Sequence, residues 1–186
     1  MKEHIAPAIR ITLVCLLFFA GVYTLLIFGI GKFTATRGQG DLITVNGKKI
    51  YANVGQKFTQ DRYFWSRPSA VDYNAAGAGG SNKGPTNPDY LATVQARIDS
   101  FAVHNPDVAK SAIPSELVTA SGSGLDPDIS VDAAKVQVAR IAKIRGLAAA
   151  NIEQLIIANT AAPLGGIAGP AKVNVLALNI ALDNLK

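Results

Sequence analysis

Between Arg10 and Lys32 the chain carries 21 consecutive uncharged residues, Ile11 to Gly31, rich in Leu, Ile, Val and Phe. Wound as an α-helix, such a run extends about 32 Å at roughly 1.5 Å per residue, which matches a hydrocarbon core of about 30 Å. The sequence therefore predicts one membrane crossing. The rival reading is a cleaved signal sequence, because Gly29 and Gly31 form a small-x-small pair before Lys32 and a basic stretch precedes the apolar run. Apolar cores of signal sequences span only about 7–15 residues, so the length favours a retained anchor.

The chain beyond the anchor is long enough for one compact domain. The charged fraction of 17% and the mean hydropathy of +0.23 reflect the anchor. Net charge is +5, but residues 1–37 hold four basic groups and one acid, leaving 14 basic and 12 acidic groups elsewhere without a long run of one sign. Dispersed charge of this kind argues against a nucleic-acid footprint. The single cysteine, Cys15, sits inside the apolar run, where it can neither close an intrachain disulfide nor join a metal cluster. Charge leaves the orientation open: Lys2 and Arg10 stand on one side, and Lys32, Arg37, Lys48 and Lys49 on the other.

The expected layout is a terminal segment over 1–10, a transmembrane helix over 11–31, a Thr/Gly-rich linker over 32–41 and an α+β domain over 42–186, with a small sheet and about three to four helices. Leu42–Val45, Asn46-Gly47 and Lys48–Tyr51 read as a tight hairpin. Residues 72–88 are too rich in Gly, Pro, Asn and Ser for a regular element and form a long loop. Asn87 caps the helix that Pro88 opens, with Leu91, Val94, Ile98 and Phe101 on one face and an end near Asn105-Pro106. Leu117-Val118-Thr119 reads as a short buried strand entering a second glycine-rich loop, Ala120 to Ile129. Ser130 caps the next helix, which ends at Gly146; a further helix covers Asn151 to Asn159. Val173 to Leu182 is apolar enough to be strand, helix, or one passing into the other.

Several constellations bear on chemistry. Ser121 and Ser123 need a histidine base, and only His104 lies beyond the anchor; a triad is disfavoured against a solvated histidine at a helix end. Gly77 to Gly84 fails the phosphate-loop pattern because Asn82 occupies the position before Lys83. Asp126 and Asp128 are too few for a calcium loop, though paired carboxylates can attract a monovalent cation. The run Tyr63-Phe64-Trp65-Ser66-Arg67 suits an interface or a core edge equally. No residue is assigned a catalytic or metal-binding role.

Several strings carry a family resemblance: Tyr63-Phe64-Trp65-Ser66-Arg67-Pro68-Ser69-Ala70, Tyr73-Asn74-Ala75-Ala76-Gly77, Gly84-Pro85-Thr86-Asn87-Pro88, Val118-Thr119-Ala120-Ser121-Gly122-Ser123-Gly124-Leu125-Asp126-Pro127 and Val173-Asn174-Val175-Leu176. In this order, behind one anchor, they resemble the small C subunit of the bacterial Kdp potassium-transporting P-type ATPase. The resemblance implies an inner-membrane complex with a pore-forming potassium-binding subunit, a subunit that hydrolyses ATP through a phospho-aspartate, and a small fourth membrane subunit. It implies a cytoplasmic N-terminus and an extracytoplasmic domain. It further implies a non-catalytic role in assembly and as a catalytic chaperone raising the ATP affinity of the hydrolysing subunit, with potassium as the transported ion and ATP held by the partner. Within it, Arg67, Asn82, Ser121, Asp126, Gln137 and Arg140 are the expected partner contacts or loop-ordering residues, and Asp126 and Asp128 the candidates for cation attraction. Two departures stand out: Asp128 where the family usually has histidine, and Gly169-Pro170-Ala171-Lys172 where it tends to Gly-Glu-Pro-Arg. The alternative is a free-standing membrane-anchored ligand-binding or hydrolytic domain using Ser121 and His104. Retention of the anchor predicts that the full chain stays in the membrane pellet after an alkaline carbonate wash; release into the supernatant contradicts it.

Overall fold

The computed structural model describes residues 2–45, 47–163 and 165–185. The chain divides into two compact units, Met1–Tyr51 and Ala52–Lys186. In the first, α-helical Lys2–Leu16, π-helical Leu17–Tyr23 and α-helical Thr24–Lys32 run on as one helix, α1. Its 30 residues from Glu3 to Lys32 are long and apolar enough to cross a membrane. The wide turn has a local partner: the Thr24 hydroxyl donates to the Phe19 carbonyl five residues back, at 3.0 Å. Beyond it, β1 (Leu42–Val45) and β2 (Lys48–Tyr51) pair antiparallel with Val45 opposite Lys48, the register of a two-residue turn. Asn46, expected in that turn, lies outside the described residues.

The second unit holds the core. Helix α2, Pro88–His104, starts as the sequence predicts: Asn87 accepts from the Tyr90 amide at 3.0 Å and Pro88 occupies the first turn. Strand β3 (Asp128–Ser130) leads into α3 (Val131–Lys135) and α4 (Val138–Arg145), then α5 (Ala149–Ala158), β4 (Thr160–Ala161), β5 (Lys172–Asn174) and α6 (Val175–Asn184). The sheet order is β3-β5-β4, antiparallel throughout, with Val173 opposite both Ile129 and Thr160. Phe64, Phe101, Ile129, Ile141, Ile152, Ile156, Val173, Leu178 and Leu182 are buried together in one core. The segment from Val173 turns out to be strand passing into helix, switched at Asn174, whose side chain accepts from the Ala177 amide at 2.9 Å.

Two expectations are corrected. The region between Ser130 and Gly146 is two helices, because Gln137 takes over a backbone role. Its side-chain amide donates to the Ala133 carbonyl at 3.0 Å, the acceptor its own N–H would use in an unbroken helix, while that N–H turns to Ala134 at 3.1 Å. The capping expectations themselves hold, with Ser130 accepting from Ala133 at 3.0 Å and Gly146 left-handed at φ 66°. Leu117-Val118-Thr119 is no strand. The 3-10 turn Ser115–Leu117 runs into it, with the Val118 and Thr119 amides both donating to Ser115, at 3.1 and 2.9 Å. Leu117 and Val118 are buried, as a strand reading also requires; a short apolar run cannot distinguish the two.

The glycine-rich loops are layered backbone against backbone. The Gly55 amide donates to the Leu125 carbonyl at 2.7 Å, Gly79 to Ser123 at 2.8 Å, and Ser121 to Pro68 at 3.0 Å. Such approach excludes side chains: a Cβ on Gly124, whose φ is +70°, would stand 2.6 Å from the Val71 side chain and 2.8 Å from the Gly79 carbonyl. Gly124→Ala is expected to lower unfolding free energy by about 2 kcal/mol or more, combining left-handed strain with overpacking. Urea unfolding of the full chain, followed by the fluorescence of its one tryptophan, measures it.

Candidate functional site: a clamped aromatic segment

Residues 61–66 leave a turn, closed by the Tyr63 amide donating to the Gln60 carbonyl at 3.1 Å, and continue through the second unit outside any strand, yet a buried backbone must find partners. Side chains supply them. Asn179 on α6 accepts from the Phe64 amide at 2.9 Å and donates to the Phe64 carbonyl at 3.0 Å. Gln137, at the α3–α4 break, accepts from the Trp65 amide at 2.8 Å and donates to the Trp65 carbonyl at 3.4 Å. Two side-chain amides thus do for neighbouring residues what a paired strand does for its partner.

Arg140 completes this clamp. Its side chain is 2% exposed, and it donates to the Asp61 carbonyl, to the Tyr63 carbonyl at 3.1 Å, to Asn105 Oδ1 at 2.9 Å and to Gln137 Oε1 at 2.7 Å. Its guanidinium carbon lies 4.5 Å from the centre of the Trp65 ring. Burial pushes its pKa down to about 10, opposed by the nearby Asp61 charge, so it stays a cation at neutral pH. A fork of fixed donors suits this position; a lysine ammonium cannot reach four acceptors at once. Arg145 grips the same segment from outside, donating to the Arg62 carbonyl at 2.8 Å and to Asp183 at 2.7 Å, while the Tyr63 hydroxyl donates to Asp183 at 3.0 Å.

A second cluster joins the loops to this segment. Arg67 pairs with Asp126 at 2.8 Å, and Asp126 also accepts from the Asp128 amide at 3.1 Å. Asp128 in turn pairs with Lys172 at 2.5 Å, and that hydrogen bond raises the lysine pKa. Asp128 and Lys172, both singled out from the sequence, therefore meet. The Tyr73 hydroxyl donates to the Arg67 carbonyl at 2.5 Å, and its burial raises its pKa.

Of the residues singled out from sequence, Gln137 meets Arg140, and Arg67 meets Asp126. Ser121 lies 2% exposed, tied through its amide to Pro68 beside Arg67. Asn82 stands apart from both clusters, in a left-handed turn at φ 51°. His104 bonds the Asp61 carboxylate at 2.9 Å, and no hydrogen bond joins it to Ser121 among the described residues. Sequence reasoning missed Asp61, Asn105 and Asn179. Asn179 carried a signal, as the one amide inside the apolar run from Val175 to Leu182.

One helix of membrane-crossing length thus carries a small α+β domain whose buried cation and amides are spent on ordering its own loops. That defines a class of small α+β domains carried on a single helix of membrane-crossing length. The profile of the family described as KdpC, K+-transporting ATPase, c chain, matches residues 5–184. The chain is similar to the potassium-transporting ATPase KdpC subunit of Flavobacterium johnsoniae, at 53% identity over 187 residues covering 99% of this chain and 100% of the relative. The corresponding subunit of Bacteroides fragilis is 49% identical over 188 residues, covering 99% and 98%, and that of Geobacter sulfurreducens 44% over 191 residues, covering 100% and 99%. The chain belongs to the KdpC family.

Arg140→Met leaves four acceptors without their donor and is expected to cost roughly 3–5 kcal/mol. Arg140→Lys should recover less than half of that. Both are read by urea unfolding with Trp65 fluorescence, and a loss below about 1 kcal/mol for Arg140→Met rejects the clamp.

Proposed function

We propose that this chain is the accessory C subunit of an ATP-driven potassium uptake complex, needed for its assembly and carrying out neither ion binding nor hydrolysis itself. The full-length relationship to KdpC subunits of potassium-transporting ATPases carries this reading. The geometry supports it from the chemical side. Asp126 and Asp128 are matched by Arg67 and Lys172, so they order loops and leave little net charge to draw potassium. Ser121 is buried, which removes the nucleophile from the hydrolytic alternative.

In this reading α1 crosses the bacterial inner membrane with its N-terminus cytoplasmic and the domain extracytoplasmic. The partners are the pore-forming potassium-binding subunit, the ATP-hydrolysing subunit and the small fourth membrane subunit. Arg67, Ser121, Asp126, Gln137 and Arg140 act as loop-ordering residues that hold a fixed face toward the pore-forming subunit, with Asn82 shaping the long loop beside them. ATP is held by the hydrolysing subunit on the other side of the bilayer. The catalytic-chaperone effect on ATP affinity then travels as coupling through the assembled subunits, and reciprocity requires that nucleotide also tighten the hold of the complex on this chain.

Deleting the chain from a strain expressing the other subunits should abolish purification of an intact complex and its potassium-stimulated ATPase activity. A stable, fully active complex without it overturns the proposal. Topology has its own readout: in a Cys15→Ala background, Ser123→Cys should react with an impermeant thiol reagent added to intact cells.

A further inference from the structure

A cavity of about 350 Å³ opens beside the clamp, its apolar wall formed by Phe58, Trp65, Phe101 and Leu117 and its polar wall by Arg97 and His104. Trp65 is locked from behind. Its indole N–H donates to the Gln60 carbonyl at 3.2 Å, Arg140 lies against its ring, and Phe101 and His104 meet it edge-on with centroids 6.2 and 5.0 Å away. What remains of the ring is apolar surface held at fixed orientation.

Arg97 supplies the positive charge on the wall. Arg97 donates through Nη1 to the Val118 carbonyl at 3.1 Å, which fixes its fork and leaves other N–H groups unused among the described residues. His104 is bound through Nδ1 by the Asp61 carboxylate at 2.9 Å. A carboxylate only accepts, so Nδ1 bears hydrogen and Nε2 is the ring nitrogen left over. Among the described residues, no acidic side chain lines the cavity.

We infer that this cavity is a docking pocket for one residue of a partner polypeptide, an apolar side chain bordered by a carboxylate. The apolar group lies over Trp65 and Phe101, and the carboxylate meets Arg97. The inference rests on the complex proposed above for the identity of the partner. A polypeptide is favoured over a free solute because the cavity is broadly open, whereas small-ligand sites enclose most of their guest. A residue presented by a co-assembled subunit needs no such enclosure, since assembly supplies its effective concentration. A fixed tryptophan beside an arginine is also the composition in which interface energy concentrates.

The one tryptophan reports on the pocket. Titrating the purified full chain with 3-phenylpropionate should change Trp65 fluorescence saturably. The isosteric 3-phenylpropionamide and phenethylammonium should bind at least about tenfold more weakly, and Arg97→Met should abolish that preference. Equal responses to the three probes, or a preference unchanged in Arg97→Met, overturn the pocket. Its occupant is tested in a Cys15→Ala, Ser100→Cys chain, because Ser100 lines the same cavity. Its thiol-labelling rate should fall roughly tenfold or more between the isolated chain and the assembled complex, as burial under a partner requires. Equal rates in a complex that has formed overturn the docked segment. Failure of the unmodified chain to co-purify at all is a different result, and overturns the parent reading of function instead.

Discussion

The second unit depends on a buried guanidinium. Arg140 reaches two backbone carbonyls and two side-chain amides from inside the domain, and these acceptors belong to three different pieces of chain: Asp61 and Tyr63 on the aromatic segment, Asn105 at the end of α2, Gln137 at the head of α4. A desolvated cation is costly in isolation, which is the meaning of its lowered pKa. It persists because its donors meet acceptors, so the same feature that makes the position expensive makes it selective for one arrangement of those pieces. The aromatic run Tyr63-Phe64-Trp65 owes its place to this match and to Asn179.

How much of this the sequence discloses depends on the distance over which each interaction acts. Asn87 with Pro88, Ser130 and Gly146 mark helix ends through bonds three or four residues long, and the structure places helix ends at them. The α1 run is legible because lipid selects on composition over a stretch, with no partner residue required. The break at Gln137 is invisible locally, since glutamine is a good helix former and only the backbone of Trp65 gives its side chain a reason to fold back. Leu117-Val118-Thr119 shows the converse, an apolar run whose burial was right and whose geometry was decided by the turn beginning at Pro114.

The candidate site was half legible for the same reason. Gln137 and Arg140, three apart, share a helix face by spacing alone, and the structure joins them at 2.7 Å. Arg67 and Asp126 stood out in their own strings, but their meeting across 59 residues belongs to the layered loops. The glycines of those loops looked like a departure from structure and are the condition for it, because a Cβ at Gly55 would stand 2.6 Å from the Asp126 carbonyl and one at Gly124 2.8 Å from the Gly79 carbonyl, where the loops meet.

The pairing of Asp128 with Lys172 extends this logic to the edge of the sheet. Asp128 on β3 faces Lys172 on β5, a carboxylate against a cation at 2.5 Å. The pair is partly exposed and its direct energy is small. Its consequence is charge balance. Asp128 and Lys172 cancel each other. Together with Arg67 and Asp126 they form two ion pairs whose acids are neighbours, Asp126 accepting from the Asp128 amide at 3.1 Å. If the domain presents a fixed face to other subunits, as proposed above, such an edge is constrained by the sum of its charges and by the rigidity of its backbone. Arg67–Asp126 and Asp128–Lys172 satisfy the first requirement, and the glycine layer beneath them satisfies the second.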